Sequence, residues 1–169
     1  MPEVLLQPIN QTLKANMGEI LLDVLLKHDC QVMMACGRQG ICATCHVYIS
    51  TGEDALSPKS DRESRTLALI TGANEHSRLS CQCTITKDEK IEVMLPEGLY
   101  VESFDDLQSL VGKRTQVPIL NPVDGSILIL KGKIITRTLI MKLADTNFDP
   151  HSILTREAAT RDENGAKDQ

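Results

Sequence analysis

The sequence predicts an α+β fold, in which a mixed sheet with a packed helix is followed by a small β-rich extension. Short alternating segments at residues 4–7 and 11–14 precede a helical pattern at residues 20–28, and further alternating segments follow at 46–49 and 90–95. After about residue 100 the sequence pattern is different: short apolar segments are separated by residues typical of turns. This order of elements is typical of one compact domain with an appendage.

The first elements follow from periodicity. Residues 4–7 and 11–14 form two short strands around a turn at Pro8-Ile9-Asn10. In residues 20–28, ILLDVLLKH, the apolar positions recur at helical spacing, which predicts a helix. Residues 46–49, HVYI, alternate and contain β-branched side chains, so they predict a strand. Strand, turn, strand and helix therefore open a compact α+β unit.

The second half of this unit begins at a turn formed by Ser57-Pro58. A short amphipathic helix is expected from Ser60 to Ile70, and its charges at 60–67 are mixed in sign, which indicates a solvated helix face. Residues 78–85 are expected to be extended, and residues 90–95 alternate as the final strand. The unit therefore closes near residue 100.

The remainder of the chain predicts a second, smaller set of elements. The expected elements are a helix at 103–110, strands at 116–120, 126–130 and 132–136, and a helix at 137–144 capped by Thr136. The turn at 121–125, NPVDG, joins the first two of these strands. The predicted division is a domain at 1–100, a β-rich extension at 101–148 and a flexible tail at 149–169.

Composition excludes several classes of function. The chain has 18 basic and 23 acidic residues, and this net charge of −5 argues against a nucleic-acid partner. No apolar run approaches the span of about 20 residues that crosses a membrane, and the first seven residues show no targeting signal. A soluble, cytoplasmic protein is expected, in which six cysteines favour metal or redox ligands over disulfides.

Four of the six cysteines form a spaced set. Five and then two residues separate the first three, and thirty-five more precede the fourth; they are Cys36, Cys42, Cys45 and Cys81. Two ferric ions, two sulfides and four thiolates sum to about −2, so a binuclear cluster needs hydrogen-bond donors around it. Gly37 and Gly40 allow the backbone to approach and turn, and Arg38 adds a positive charge. This pattern predicts one [2Fe–2S] cluster per chain.

Other sites fit the pattern less well. A structural zinc site has two close cysteine pairs, each two to four residues apart, and a thioredoxin-like motif would use only Cys42 and Cys45. Cys83 is a rival to Cys81 as the fourth ligand, and strand alternation would place both on the same side. Cys30 follows the first helix and is expected to be a buried small apolar residue.

Two segments resemble a known family. Residues 36–47, CGRQGICATCHV, and residues 77–82, SRLSCQ, resemble the adrenodoxin-like and bacterial iron–sulfur-assembly [2Fe–2S] ferredoxins in order and spacing. The resemblance covers roughly residues 3–97. It implies a β-grasp fold, with the four spaced cysteines as ligands, and it favours Cys81 over Cys83. His46 matches the histidine that tethers the cluster loop to the body of the fold.

The resemblance implies a soluble one-electron carrier, and not an enzyme, that shuttles electrons between a reductase and an acceptor enzyme. The mixed charges at 60–67 replace the acidic patch usual in this family, which argues against partners of the cytochrome P450 type. Two alternatives remain, and in both the protein would act through the extension. One is an assembly or scaffold protein that the cluster or a zinc ion stabilises, and the other is a redox sensor. That extension is either a docking module or a stabilising flap and dimer contact, so self-association through it is expected as one outcome.

Overall fold

The computed structural model describes residues 1–30, 32–101 and 104–144. Its larger part is a mixed five-stranded sheet in the order β2-β1-β5-β3-β4, in which β1 and β5 run parallel and the other pairs antiparallel. The elements are β1 (Glu3–Gln7), β2 (Gln11–Lys14), α1 (Leu21–Lys27), β3 (His46–Thr51), α2 (Asp61–Leu69), β4 (Ser77–Leu79) and β5 (Lys90–Met94). The predicted mixed sheet with a packed helix is confirmed.

Burial of alternating and helical apolar positions holds this unit together. Val4 and Leu6 point inward from β1, and α1 buries its apolar face of Leu21, Leu22, Val24 and Leu25. These side chains join one aliphatic core with β3 and β5. The helix α2 begins where predicted, because the Ser60 side chain accepts a hydrogen bond from the Glu63 N–H at 3.2 Å. The sheet and α1 therefore form a stable base for the loop between them.

The extension has a sheet and a core of its own. Its elements are β6 (Leu99–Tyr100), α3 (Phe104–Ser109), β7 (Ile119–Leu120), β8 (Ile127–Ile129) and α4 (Arg137–Leu143). The strands lie in the order β6-β7-β8, with β6 parallel to β7. The core is formed by Val101, Leu107, Ile119, Ile129, Ile135 and Ile140. The Thr136 side chain caps α4 by accepting from the Leu139 N–H at 3.1 Å, as expected.

Two expected strands differ in the structure. Residues 132–136, expected to be a strand, are not part of the three-stranded sheet. Their backbone forms hydrogen bonds with residues 112–115, where Ile134 and Arg114 make an isolated β-bridge. Residues 78–85 are not continuously extended, since a short 3-10 turn at Ser80–Gln82 follows β4. The strand expected at 116–120 shortens to β7.

The boundaries of the two parts follow from the pairing of β6. Leu99 and Tyr100 pair with β7, so the sheet of the extension begins just before residue 101. The division at residue 100 stays a prediction. The tail expected at 149–169, and the last four residues of the extension, lie outside the described residues. None of the helices described is long and apolar enough to cross a membrane.

Candidate functional site

The four spaced cysteines lie between the sheet and α2. Cys36, Cys42 and Cys45 belong to the loop that leads from α1 to β3, and Cys81 lies in the 3-10 turn after β4. All four side chains are buried, and Cys81, at 7% exposure, is the most accessible. The structure therefore brings together every cysteine that the spacing predicts as a ligand.

The thiols form two close pairs. The Sγ atoms of Cys45 and Cys81 lie 3.3 Å apart, and Cys36 and Cys42 are close enough that the Cys42 thiol has the largest effect on the pKa of Cys36. The pairs are near neighbours, because Cys36 acts electrostatically on Cys81, and Cys42 on Cys45. In the described part of the chain, no three His, Cys, Asp or Glu side chains come together as ligands of a single metal ion. Two pairs of thiols match the needs of two irons.

Hydrogen bonds favour one thiolate in each pair. The Cys42 thiol, together with backbone N–H groups from residues 39–41, outweighs burial and lowers the pKa of Cys36 to about 5. The Cys45 thiol, assisted by the Gln82 side chain, lowers the pKa of Cys81. The Gln82 Nε2 atom lies 3.3 Å from the Cys81 Sγ atom. The pKa of the other thiol in each pair, Cys42 or Cys45, is raised, because the hydrogen bond to its partner and burial favour the neutral form.

The loop takes its shape from three residues with left-handed backbone. Gly37, Arg38 and Gly40 have φ angles of 64°, 67° and 70°. A Cβ atom on Gly40 would lie only 3.0 Å from the Gln82 side chain, as the expected close approach requires, whereas one on Gly37 would meet nothing within 4 Å. Arg38 is held by an ion pair with Asp23 of α1, with an Nη2–Oδ1 distance of 2.5 Å. The loop is therefore fixed to α1 at its exposed tip.

Side chains around the loop fix its buried parts. The Thr66 hydroxyl of α2 donates to the Gly40 carbonyl at 2.6 Å, and the Ser80 hydroxyl donates to the Cys45 carbonyl at 2.8 Å. The His46 Nε2 atom lies 2.8 Å from the Ser77 hydroxyl oxygen, and burial lowers the pKa of His46 to about 4. A tethering role for His46, as the sequence predicts, agrees with this contact between neighbouring strands.

A buried ion pair supports the Cys81 turn. The Arg78 Nε atom donates to the Glu63 Oε1 atom at 2.8 Å, and both side chains are almost completely buried. The solvated face expected for residues 60–67 is therefore wrong at Glu63, although most of this run is exposed. Sequence reasoning missed this pair, because two opposite charges 15 positions apart carry no local signal that they meet.

The remaining cysteines and histidines lie away from the thiol pairs. The Cys83 thiol donates to the Leu79 carbonyl at 3.3 Å, and burial raises its pKa to about 12. The strand alternation on which its expected position beside Cys81 rested is interrupted by the 3-10 turn, so that expectation stays a prediction. Cys30 is half-buried instead of buried. His28 and His76 are exposed, and His151 lies outside the described residues.

The extension also reaches this site. Tyr100 of β6 packs against the main core, and burial, with the nearby Cys45 and Cys42 thiols, raises the pKa of its hydroxyl. The Ala43 N–H, between the second and third cysteines, donates to the Pro122 carbonyl at 2.9 Å. Neither contact follows from the sequence, because each joins residues that are more than fifty positions apart.

The residues present fit a binuclear iron–sulfur cluster. Four buried thiols in two adjacent pairs would be enough to supply two thiolates to each of two irons, and backbone N–H groups of residues 39–41 favour negative charge at the Cys36 sulfur. A loop with left-handed backbone leaves these donors on its inner side. Such a group exchanges single electrons, since its charge changes by one with little movement of the ligands.

Comparisons with known proteins agree with this chemistry. A family model described as "2Fe-2S iron-sulfur cluster binding domain" matches residues 4–86. The "2Fe-2S ferredoxin" of Escherichia coli strain K12 is 36% identical over 96 residues, which cover 57% of this chain and 86% of that protein. The "Adrenodoxin homolog, mitochondrial" of Saccharomyces cerevisiae is 40% identical over 82 residues, which cover 47% of this chain and 48% of that protein.

A solved structure extends the agreement to the fold. The ISC-like [2Fe-2S] ferredoxin of Pseudomonas putida JCM 20004 has a TM-score of 0.53 and 28% identity, covering 57% of this chain and 93% of that chain. The predicted β-grasp fold and the family resemblance are confirmed. This chain belongs to the 2Fe-2S ferredoxins, which carry one [2Fe–2S] cluster and are electron carriers, not enzymes.

Proposed function

We propose that Cys36, Cys42, Cys45 and Cys81 hold the cluster, and that the chain shuttles single electrons between a reductase and acceptor enzymes. The observation that carries this proposal is the arrangement of four buried thiols in two adjacent pairs. The order and spacing of the same cysteines in a ferredoxin-family domain support it.

The chain's own residues supply binding, orientation and shielding. When bound, the cluster supplies one-electron exchange without a proton or atom transfer. The N–H groups of residues 39–41 stabilise negative charge at the Cys36 sulfur, and the Gln82 amide does so at Cys81. The Thr66 and Ser80 hydroxyls fix the loop in place, so that the ligands move little when the charge changes.

The proposed partners are proteins that exchange electrons at the surface of the loop. A cytoplasmic location is proposed with them, supported by family membership. The net charge of −5 remains the argument against a nucleic-acid partner. Self-association through the extension stays a prediction, supported by its exposed apolar side chains: Ile127, Leu130, Ile134 and Met141.

The proposed function is tested by spectroscopy of the anaerobically purified full chain, with iron, sulfide and zinc analysis. We expect a brown protein whose broad visible absorption bleaches with dithionite, and a rhombic electron paramagnetic resonance signal of one spin per chain. A colourless, redox-silent protein with bound zinc would contradict the carrier function and favour a scaffold. Loss of the cluster in air, coupled to a change of oligomer, would favour a redox sensor.

A further inference from the structure

One turn of the extension lies directly against the loop that carries the cysteines. We define the 121–125 loop as the residues that join β7 to β8. The Pro122 carbonyl accepts the Ala43 N–H at 2.9 Å, and the Asp124 carbonyl accepts the Thr71 N–H at 2.8 Å. The 121–125 loop therefore bonds to the segment between Cys42 and Cys45, and also to the chain just after α2.

Residues of the 121–125 loop also pack closely against the cysteine loop and the end of α2. A Cβ atom on Gly125 would lie 3.5 Å from both the Ala43 Cβ atom and the Ile70 Cγ2 atom, which is ordinary contact distance. Ala43 and Pro122 are both buried. The 121–125 loop therefore covers the Ala43 side of the cysteine loop, so another protein cannot reach residues 42–45 from this direction without displacing it.

The 121–125 loop is held in shape from within. The Asn121 Oδ1 atom accepts the Val123 N–H at 2.9 Å, and the Asn121 carbonyl accepts the Gly125 N–H at 2.8 Å. The Asp124 Oδ1 atom accepts the Ser126 N–H at 2.9 Å. The strands on either side bury Ile119 and Ile129 in the core of the extension. Because both ends are anchored, this loop is a fixed part of the site.

The opposite edge of the cysteine loop is open. Gly37, Arg38 and Gln39 are exposed, and Met34 beside them is 48% exposed. The Arg62 side chain borders this edge by donating to the Gln39 carbonyl at 3.2 Å. Since electron tunnelling weakens steeply with distance, a partner must approach where little protein covers the site. Here that place is the edge at residues 37–39.

We propose that the 121–125 loop is a wall of the cluster site, which fixes residues 42–45 and confines electron exchange to the edge at residues 37–39. This inference rests on the proposed function. The 2Fe-2S domain model matches residues 4–86, so the wall lies outside the part that matches the family model. The redox partner must therefore fit the exposed edge and does not meet the Cys42–Cys45 side.

The wall is tested in the full, cluster-loaded chain by Gly125→Leu, with Gly132→Leu as the matched control. Both glycines have positive φ, at 69° and 81°, but a Cβ on Gly132 meets nothing within 4 Å. The backbone strain is therefore similar, but only at Gly125 does the new Cβ already touch Ala43 and Ile70, so that the rest of the leucine side chain must be accommodated between the wall and residues 42–45. Hydrogen exchange of peptides covering residues 41–47 and the rate of iron release to a chelator are measured.

We expect both rates to rise about tenfold in Gly125→Leu, the factor that follows from losing one hydrogen bond, and to stay near the parent values in Gly132→Leu. Asn121→Ala, which removes the internal bond of the loop, should act in the same direction if Gly125→Leu folds poorly. Equal rates in Gly125→Leu, Asn121→Ala and Gly132→Leu would overturn the wall.

The open edge is tested with hexaamminecobalt(III), a cationic oxidant that takes one electron from the reduced protein and becomes cobalt(II). At low ionic strength, Gln39→Glu should increase the rate of this oxidation roughly threefold, because the added negative charge attracts the cation to the edge at residues 37–39. Gln108→Glu, the same change at an exposed position of α3, should leave the rate unchanged. The reverse result would overturn the inference. A parent chain that dithionite does not reduce would refute the proposed function instead.

Discussion

The buried pair of Glu63 and Arg78 joins α2 to the strand that leads into Cys81. The Glu63 Oε1 atom also accepts the Leu79 N–H at 2.9 Å, and the Arg78 Nη2 atom donates to the Ser57 carbonyl at 2.8 Å. The carboxylate is therefore the anion of a complete network. An ion removed from water is stable only when such partners are present.

Replacing Glu63 by Gln keeps the shape but leaves the Arg78 charge uncompensated. We expect the free energy of unfolding to fall by about 3–5 kcal/mol, and the thermal midpoint, followed by circular dichroism at a fixed scan rate, to fall by roughly 10 °C. Glu89→Gln, the same change at an exposed turn, should move the midpoint little. Equal midpoints for the two variants would show that the pair contributes nothing to stability.

The contacts of two single residues, Cys81 and Cys83, distinguish them as candidates for the fourth cluster ligand. Cys81 lies 3.3 Å from the Cys45 sulfur, whereas the Cys83 thiol bonds to the Leu79 carbonyl. We expect Cys81→Ser to alter or abolish the visible absorption and the reduced-state resonance signal. Cys83→Ser should retain both, with iron content per chain as the check. Loss of iron from Cys83→Ser alone would make Cys83 the fourth ligand.

Among the elements, helices with capping residues follow the sequence closely. The helix α2 begins after Ser60 and α4 after Thr136, where a side-chain oxygen satisfies an otherwise unpaired backbone N–H. The turn at Ser80–Gln82 could not be predicted in this way. It forms because the Ser80 N–H and hydroxyl both donate to the Cys45 carbonyl, a contact between distant residues. Local periodicity carries no information about such a contact.

The cap of α4 gives a prediction for this element. Thr136→Ala removes the acceptor for the Leu139 N–H and should cost about 1 kcal/mol of stability in the extension. Thr138→Ala, at an exposed position inside the same helix, should be neutral or slightly stabilising, because alanine has the higher helix propensity. The hydrogen-exchange rates of the α4 amides measure the change in stability for each variant. A larger loss from Thr138→Ala than from Thr136→Ala would contradict the assigned cap.

For the whole molecule, two aliphatic cores are joined by contacts that include a hydrogen bond beside the cysteines. The spacing of the cysteines, with the family resemblance, predicted four residues whose thiols the structure brings together, since thiolate chemistry limits the patterns that fit. The contact of Ala43 with Pro122 could not be predicted, because neither residue type suggests a partner. The sheet followed from periodicity, but the arrangement of the extension against it depends on packing that only the folded chain shows.

Leu107→Ala tests whether the two cores unfold separately. Leu107 is completely buried in the core of the extension, and its truncation should cost about 2–5 kcal/mol there. Amide exchange should accelerate in β7 and β8 and stay unchanged in β1 and β5. Leu130→Ala, at an exposed position of the extension, is the control. Parallel acceleration in both sheets would mean that the chain unfolds as one unit.

The parallel pairing of β1 with β5 also bears on how this protein matures during synthesis. The first strand pairs with residues 90–94, so the sheet cannot close until more than half of the chain has been made. Pairings this distant in sequence form slowly. Pro122 emerges later still, which means that on the ribosome the cysteine loop is complete while one of its flanks is bare. During that interval we expect the cysteine loop to be open on the Ala43 side as well as at residues 37–39, and once the extension has folded, access should remain at residues 37–39.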